Sequence, residues 1–538
     1  MLELWEAIYD HLYVYIGAYM FLALALMLFT GMPVAFALGG VSTLFAFWAI
    51  YLEFLDWPIF YQIVQRFWGG DGASGAVQNP ILVAIPCFVF MGTMLEKSKV
   101  AEDLLHILQV MLRRVPGGLA LSVTVMGTIM AATTGIIGAS VVMITLLALP
   151  TMLARGYSPA LATGTIAASS TLGILIPPSI MLVLMANLMA ISVGNLFVGA
   201  LLPGLVLSGL YCLYILGVAT FRPDMAPAMG EDEIQLSPSS KQNILMFIGI
   251  AVGATVVAYL GMSLGIGEDI NWPLVAFLVI FGASMWIGRR DGDTLLGGIL
   301  KGFVPPIFLI VMVLGSIFAG WATPTEAAGV GAFGSLVLAG INRMLTMAVL
   351  RAVIHRTALT TAMIFFIFVG ATAFSTVFRN VYGEDLIIEL IEYLHLGPWP
   401  LLFMLMGVIF LMGFFFDFLE ITLIILPVFT PIIRALAPEF AMHLGMDAPT
   451  NNAMIQAVQS QVIYWFAILV AVNLQTSFLT PPFGFALFYM KGVAPSSVKM
   501  QEIYKGIIPF VLLQLIGLSA VLMFPALALW LPEVAFGR

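Results

Sequence analysis

Long apolar runs recur along almost the whole chain, and they limit its possible folds more than any other feature. Each run is long enough to cross a hydrocarbon core of about 30 Å as a helix. Because every backbone polar group inside a bilayer needs a partner within the protein, the spanning runs are predicted to be helical. With 62% hydrophobic and only 9% charged residues, the chain is predicted to be an all-α polytopic membrane protein. The predicted crossings are 13–30, 33–52, 80–96, 159–190, 196–220, 244–264, 272–288, 303–321, 324–342, 359–378, 458–490 and 507–531.

Two further apolar stretches have a middle that is polar or rich in glycine. The first is 119–154, with GIIGAS at 135–140, and the second is 399–434, with FFFDFLE at 414–420. A polar middle suits a turn within the membrane better than a continuous span, so we predict that each stretch is a re-entrant hairpin.

The distribution of basic residues predicts the orientation in the membrane. If both hairpins return to their own side and the N-terminus lies outside, every Lys and Arg falls inside except Arg66, Arg379, Arg434 and Arg538. The positive-inside rule therefore predicts that both termini lie on the trans side.

Several short motifs occur twice in the same order along the chain. GMPVAFALGGV (31–41) resembles ATPTEAAGVGA (322–332), and CFVFMG (87–92) resembles FFIFVG (365–370). Five predicted crossings precede the centre and an even number lies within it, so the second half enters the membrane from the opposite face. Inverted-topology repeats with broken helices are the architecture of secondary transporters.

The repeats divide the chain into six predicted units around one soluble linker, 221–241, whose Pro, Ser and acidic content cannot build a core. Each half has scaffold spans with an arm helix, followed by a transport unit of a hairpin and a broken helix. In chain order the units are first scaffold 1–118, first transport unit 119–190, connecting spans with linker and extra helical pair 191–300, second scaffold 301–398, second transport unit 399–490 and final span 491–538.

Adjacent prolines interrupt one long apolar helix in each half, in TLGILIPPS (171–179) and TSFLTPP (476–482). A broken helix leaves unpaired carbonyls and amides facing one small space, and carbonyl and hydroxyl oxygens suit a hard cation. We therefore predict sodium binding at the breaks, while a kink with hydroxyls bonded to the preceding turn is the alternative. The candidate sodium ligands are Gly138, Ser140, Ser169, Ser170, Thr171, Gly173, Pro177, Asp417, Thr476, Ser477, Thr480 and Pro481.

Asp417 and Glu420 are carboxylates in an otherwise apolar hairpin, and intramembrane carboxylates are costly and usually functional. Asp417 is a candidate for binding a cation or a substrate, or for capping the next helix. Glu420 completes a D-x-x-E pattern that is typical of a capping box, as does Glu326 after Thr323. Half-helix N-termini attract carboxylates. The predicted substrate is a small carboxylate near Ser140, Pro178, Asp417 and Pro482.

Other function classes receive less support from the sequence. The two cysteines lie in apolar segments and the five histidines are scattered, which predicts neither a disulfide framework nor a zinc site. A net charge of −8 argues against nucleic acid as a partner. A membrane-embedded enzyme would need an acid, base or nucleophile set that the hairpin carboxylates do not supply alone. A channel suits two occluding hairpins less well than alternating access does.

A set of motifs in both halves resembles the large membrane subunit of TRAP (tripartite ATP-independent periplasmic) transporters, in the ion transporter superfamily. The motifs are MPVAFALG (32–39), IPCFVFMG (85–92), LGILIPPSIML (172–182), ATPTEAAGVGA (322–332) and the hairpin with Asp417. The resemblance implies an elevator-type carrier with a scaffold and a transport domain, driven by sodium and taking up organic acids in bacteria. It also implies a small four-helix membrane subunit and a periplasmic substrate-binding protein as partners, and hence an inner-membrane protein with periplasmic termini.

The central region 221–300 departs from the family's usual connection, because it carries the linker and an extra helical pair. In this it resembles the larger branch associated with mannitol, chloroaromatic and 2-oxo acid systems. A stand-alone sodium/carboxylate carrier of the same superfamily, which needs no binding protein, remains the alternative.

Overall fold

The computed structural model describes most of the chain, and within this part the regular structure is helical. The described residues are 2–69, 78–98, 100–134, 137–228, 238–263, 272–290, 299–300, 304–414, 416–447, 449–481 and 484–536. The first half contains α1 (Leu2–Phe29), α2 (Val34–Tyr51), α3 (Pro58–Trp68), α4 (Pro80–Lys97), α5 (Val100–Leu112), α6 (Gly118–Thr134), α7 (Ile137–Ala154), α8 (Pro159–Thr171), α9 (Ile180–Leu188) and α10 (Val193–Phe221).

The centre and the second half are also helical in the described residues. The centre consists of α11 (Pro238–Ser263) and α12 (Trp272–Arg290), which pack against each other. The second half contains α13 (Val304–Phe318), α14 (Pro324–Ile341), α15 (Met347–Asn380), α16 (Gly383–Tyr393), α17 (Pro398–Met412), α18 (Phe418–Ala435), α19 (Asn452–Leu479), α20 (Phe485–Val493), α21 (Met500–Met523) and α22 (Ala526–Phe536).

The predicted all-α polytopic fold is confirmed, since eight helices of the described residues are long and apolar enough to cross a membrane. Three details differ from the sequence prediction. The amphipathic helix α3 was not predicted, and α15 begins at Met347 and not near residue 359. The predicted last span, 507–531, is two helices, because Pro525 interrupts the chain between α21 and α22.

Helix starts follow local chemistry that the sequence contains. Pro occupies the first turn of α4, α8, α14 and α17, where its missing N–H is not needed. The predicted capping box of α14 is present. The Thr323 N–H donates to Glu326 Oε2 at 2.8 Å, and the Glu326 N–H donates to Thr323 Oγ1 at 3.3 Å.

The two halves pack against each other through helices that the sequence analysis predicts to be scaffold spans. α2 packs along α15, and α4 packs along α14. Each of these contacts joins a helix of the first half to a helix of the second half. Glycines allow both close approaches: a Cβ added at Gly370 would lie 2.7 Å from the Ala35 carbonyl oxygen, and one added at Gly331 would lie 2.7 Å from Met91 Sδ. Small residues at helix contacts are the usual means of tight packing between membrane helices.

The order of elements is the same in both halves after these scaffold helices. A span (α4 or α15) leads to an arm (α5 or α16), a helical hairpin (α6–α7 or α17–α18), a broken helix (α8–α9 or α19–α20) and a final span (α10 or α21). Both predicted hairpins are helix pairs whose members pack against each other. The repeats seen in the sequence therefore correspond to repeated structure.

The first prediction concerns the close contact between α8 and α21. A Cβ added at Gly164 would lie 2.2 Å from the Gly506 carbonyl oxygen, whereas Gly209 in α10 has open space around it. Gly164→Ala should lower the free energy of unfolding by about 1–3 kcal/mol through overpacking. Thermal unfolding in detergent measures this, with Gly209→Ala as the matched control. Equal unfolding temperatures for the two variants would contradict the close helix crossing.

Candidate functional site

The first break lies deep inside the protein. α8 ends at Thr171, one 3₁₀ turn covers Leu172–Ile174, and α9 begins at Ile180. Between them lie Pro177 and Pro178, joined by a cis peptide bond. Every residue from 171 to 180, including Gly173, is buried. The predicted interruption is confirmed, and its non-helical backbone is enclosed by protein, as a membrane interior requires.

The second break matches the first. α19 ends at Leu479 and α20 begins at Phe485, with Thr480 and Pro481 between them. Pro482, a predicted substrate residue, lies outside the described residues. Both long helices are therefore interrupted at the double prolines.

The hydroxyls at the two breaks donate to carbonyls of the preceding turn. In the first half the donor–acceptor distances are 2.6 Å for Ser169 to Thr165, 2.8 Å for Ser170 to Ile166 and 2.9 Å for Thr171 to Ala168. In the second half they are 2.6 Å for Thr476 to Asn473, 2.5 Å for Ser477 to Leu474 and 2.5 Å for Thr480 to Thr476. This is the alternative arrangement considered from the sequence. Each hydroxyl has one donor and two acceptor positions, so acceptor positions remain. One of those on Thr171 accepts from Gln514 Nε2 at 3.4 Å, and Ser169 Oγ also lies 3.4 Å from Thr124 Oγ1.

Each hairpin lies directly against the broken helix of its own half. A Cβ added at Gly127 in α6 would lie 2.6 Å from Ser169 Cβ, and one added at Gly413 after α17 would lie 2.3 Å from Ser477 Cβ. Glycine in these positions brings the hairpin backbone against two predicted sodium ligands. Ser140 is buried in the first turn of α7.

The second helix of each hairpin also contacts the other half. α7 packs against α20, and α18 packs against α9. A Cβ added at Gly138 would lie 2.9 Å from the ring of Tyr489, so glycine is needed for this contact between tip and α20. The two tips and the two breaks therefore belong to one region.

Asp417 and Glu420 form the capping box that the sequence predicted. The Phe418 N–H donates to Asp417 Oδ1 at 2.8 Å, and the Asp417 N–H donates to Glu420 Oε2 at 3.1 Å. Of the roles considered for Asp417 from the sequence, its contacts show the helix cap. Both residues are half-buried and also line a cavity.

This cavity has a volume of about 490 Å³ and is built from both halves and the scaffold. Among the predicted site residues, Gly138 and Asp417 line it, whereas Ser140, Pro178 and the Ser and Thr residues of the breaks do not. Its other lining residues, among those described, are Glu96, Ile137, Val142, Ile180, Arg356, Thr360, Met363, Ile364, Phe418, Leu419, Glu420, Phe478, Phe485 and Tyr489.

Sequence reasoning missed the ion pair on the scaffold wall of this cavity. Arg356 donates through one terminal nitrogen to both carboxylate oxygens of Glu96, at 3.0 and 3.2 Å. Arg356 was placed before a membrane span that was expected to begin at residue 359. The available signal was the stretch from Met347 to Leu359, which has no Pro or Gly and continues the helix.

The sequence analysis also missed Gln475, although it directly precedes the predicted sodium ligand Thr476. It is completely buried, and neither of its side-chain amide atoms has a hydrogen-bond partner among the described residues. The side-chain hydroxyls of Thr145 and Thr165 are also buried without a hydrogen-bond partner among the described residues. Leaving such a group unpaired costs about 1–3 kcal/mol, so these atoms are candidate ligands.

An apolar helical bundle in which two hairpins and two broken helices meet at a cavity with two carboxylates in its wall is typical of a multi-pass membrane transport protein. The model of the family described as "Tripartite ATP-independent periplasmic transporter, DctM component" matches residues 21–527, and the chain belongs to this family. The resemblance found in the sequence is thereby confirmed.

Named relatives cover nearly the whole chain at low identity. The uncharacterized protein YgiK of Salmonella typhimurium is 26% identical over 98% of this chain and 99% of its own length. The C4-dicarboxylate TRAP transporter large permease protein DctM of Pseudomonas aeruginosa is 26% identical over 84% of this chain and 86% of its own length. The ectoine/5-hydroxyectoine TRAP transporter large permease protein UehC of Ruegeria pomeroyi is 24% identical over 97% of this chain and 100% of its own length.

The second prediction separates the capping role of Asp417 from its charge. Asn caps helices as well as Asp does, whereas Ala does not. Asp417→Asn should therefore keep the unfolding temperature in detergent, while Asp417→Ala should lower the free energy of unfolding by about 1 kcal/mol. If both variants unfold at the same temperature, the capping box contributes nothing to the tip.

Proposed function

We propose that the protein takes up a small organic acid across the bacterial inner membrane, driven by sodium ions. It acts as the large membrane subunit of a tripartite transporter, with a small four-helix membrane subunit and a periplasmic substrate-binding protein. The observation that supports this most is the single cavity that both hairpin tips, both broken helices and Asp417 share. Uptake of labelled acids into proteoliposomes with and without a sodium gradient tests it.

Sodium fits the chemistry of the breaks. A hard cation prefers several oxygen ligands, and each break offers hydroxyl oxygens whose hydrogens already bond to the helix. Carbonyls freed by the interruption add further ligands. The unpaired amide oxygen of Gln475 extends the predicted set in the second half.

The organic acid binds in the cavity between the tips, near Ser140 and Asp417. The starts of α9 and α20 contribute Ile180 and Phe485 to its wall, and helix N-termini attract carboxylates. Asp417 would repel an acid unless a cation neutralises it, so sodium binds first. Relatives named for C4-dicarboxylates make dicarboxylates the first substrates to test.

The mechanism is an elevator, in which hairpins and broken helices move together against the scaffold. The close contacts of Gly127 with Ser169 and of Gly413 with Ser477 support this, because ion sites shared by hairpin and break cannot survive their separation. The positive-inside orientation gives periplasmic termini and puts the Glu96–Arg356 end of the cavity toward the cytoplasm.

The third prediction tests the ion sites. Ser170→Ala and Thr480→Ala should each raise the sodium concentration for half-maximal uptake by about fivefold, which corresponds to about 1 kcal/mol for one lost oxygen ligand. Ser335→Ala is the matched control for Ser170→Ala, because Ser335 is also buried and donates to a preceding carbonyl but belongs to α14, outside the predicted transport units. Unchanged sodium curves in both test variants would refute the assignment.

The fourth prediction tests the movement. In a background without Cys87 and Cys212, cysteine at Val142 or Leu419, which line the cavity, should change its accessibility to a membrane-impermeant thiol reagent on addition of sodium. The exposed residue Asp56, between α2 and α3, provides the scaffold control. Labelling rates at Val142 and Leu419 that do not depend on sodium would argue against an elevator.

A further inference from the structure

A second polar cavity lies at the other end of the scaffold helices. Its volume is about 280 Å³, and Arg66, Asn79, Asn187, Thr372, Ser375 and Arg379 contribute the polar part of its wall. Arg379 follows Arg356 by 23 residues on α15, a distance of about 35 Å along a helix. Asn79 precedes α4, and Glu96 lies in the last turn of that helix. This cavity is therefore distinct from the one at the hairpin tips.

The side chains of two arginines line this cavity, and they differ in their partners within the protein. Arg379 Nε lies 2.7 Å from a Glu384 carboxylate oxygen, and one terminal nitrogen of Arg379 donates to the Pro427 carbonyl at 3.0 Å. Arg66 forms no ion pair within 4 Å in the described part of the chain. Partial burial and the like charge of Arg379 lower the pKa of Arg66. The charge of Glu384 opposes this lowering, and an anion bound between the two arginines would add to that compensation.

The cavity also spans two parts of the fold. Arg66, Asn79 and Arg379 belong to the scaffold side, on α3, before α4 and on α15, whereas Asn187 lies in α9. The Asn79 side-chain amide donates to Asn187 Oδ1 at 2.5 Å and so links the two sides. An anion held here would lie against the end of a broken helix.

We propose that this cavity is a binding site for a small carboxylate, separate from the transport cavity and independent of sodium. Arginine binds carboxylates through two parallel hydrogen bonds, and the amides and hydroxyls on the wall can complete the shell. The volume is close to the lower limit of about 300 Å³ for ligand pockets, which suits a small acid. The proposal that a carboxylate binds here is argued from this cavity alone. The cavity would also serve as an entry site on the periplasmic side, and only that role rests on the proposed function.

The test is protection of the arginines from phenylglyoxal, mapped by mass spectrometry on the purified full-length protein in sodium-free buffer. Succinate should slow the modification of Arg66 and Arg379 but not of Arg434, which donates to the Met189 carbonyl outside the cavity. Protection should persist in Asp417→Asn, because that variant alters only the transport cavity. Failure of sodium-driven uptake therefore leaves this result unaffected.

Variants then test the assignment to Arg66. With Arg379 modification as the reporter, Arg66→Gln should raise the succinate concentration for half-maximal protection at least about tenfold, the loss of one charged hydrogen-bond pair. Arg66→Lys should lie in between, because it keeps the charge but loses the bidentate geometry, and Arg434→Gln should match wild type. The proposal is overturned if succinate does not protect Arg66 in the wild-type protein, or if sulfate or chloride at equal ionic strength protects equally. Protection that requires added anionic lipid or the binding protein would also overturn it.

Discussion

The need to pair the backbone groups at the two helix breaks is the constraint on which the rest of this structure depends. An unsatisfied carbonyl or amide in hydrocarbon costs several kcal/mol, so an interrupted helix must be covered by protein. The hairpins provide that cover. Gly127 and Gly413 bring the hairpin backbone against Ser169 and Ser477, next to the breaks, and residues 171–180 are all buried.

The position of the polar cavity follows from the same packing. A hairpin that covers its own break also extends its tip toward the other half, where α7 meets α20 and α18 meets α9. Asp417 is thereby held at the boundary between the halves, where it lines the cavity and its side chain caps the helix start. The scaffold closes the cavity from the side with Glu96 and Arg356, whose ion pair is formed within the scaffold alone.

Much of this could be predicted from the sequence, because the deciding signals were local. Double prolines predict an interrupted helix, a polar middle in an apolar run predicts a hairpin, and D-x-x-E predicts a capping box at Asp417. Arg356 and Gln475 could not be found in this way. Their importance comes from what they face across the fold, and hydrophobic patterns carry no information about contacts between distant segments. The helix α3, with Arg66, was missed because it is too short and too polar to be recognised as a span.

The hydroxyl hydrogens at the two breaks all point back into their own helices. These hydroxyls therefore present acceptor positions to their surroundings, one of which, on Thr171, is already occupied by the Gln514 amide at 3.4 Å. A water molecule there would find acceptors for both of its hydrogens but no hydroxyl donor for its own oxygen. An anion would find no hydroxyl donor either. The hydrogen bonds of these six hydroxyls therefore leave acceptor positions beside the breaks, which is what the proposed sodium sites would require.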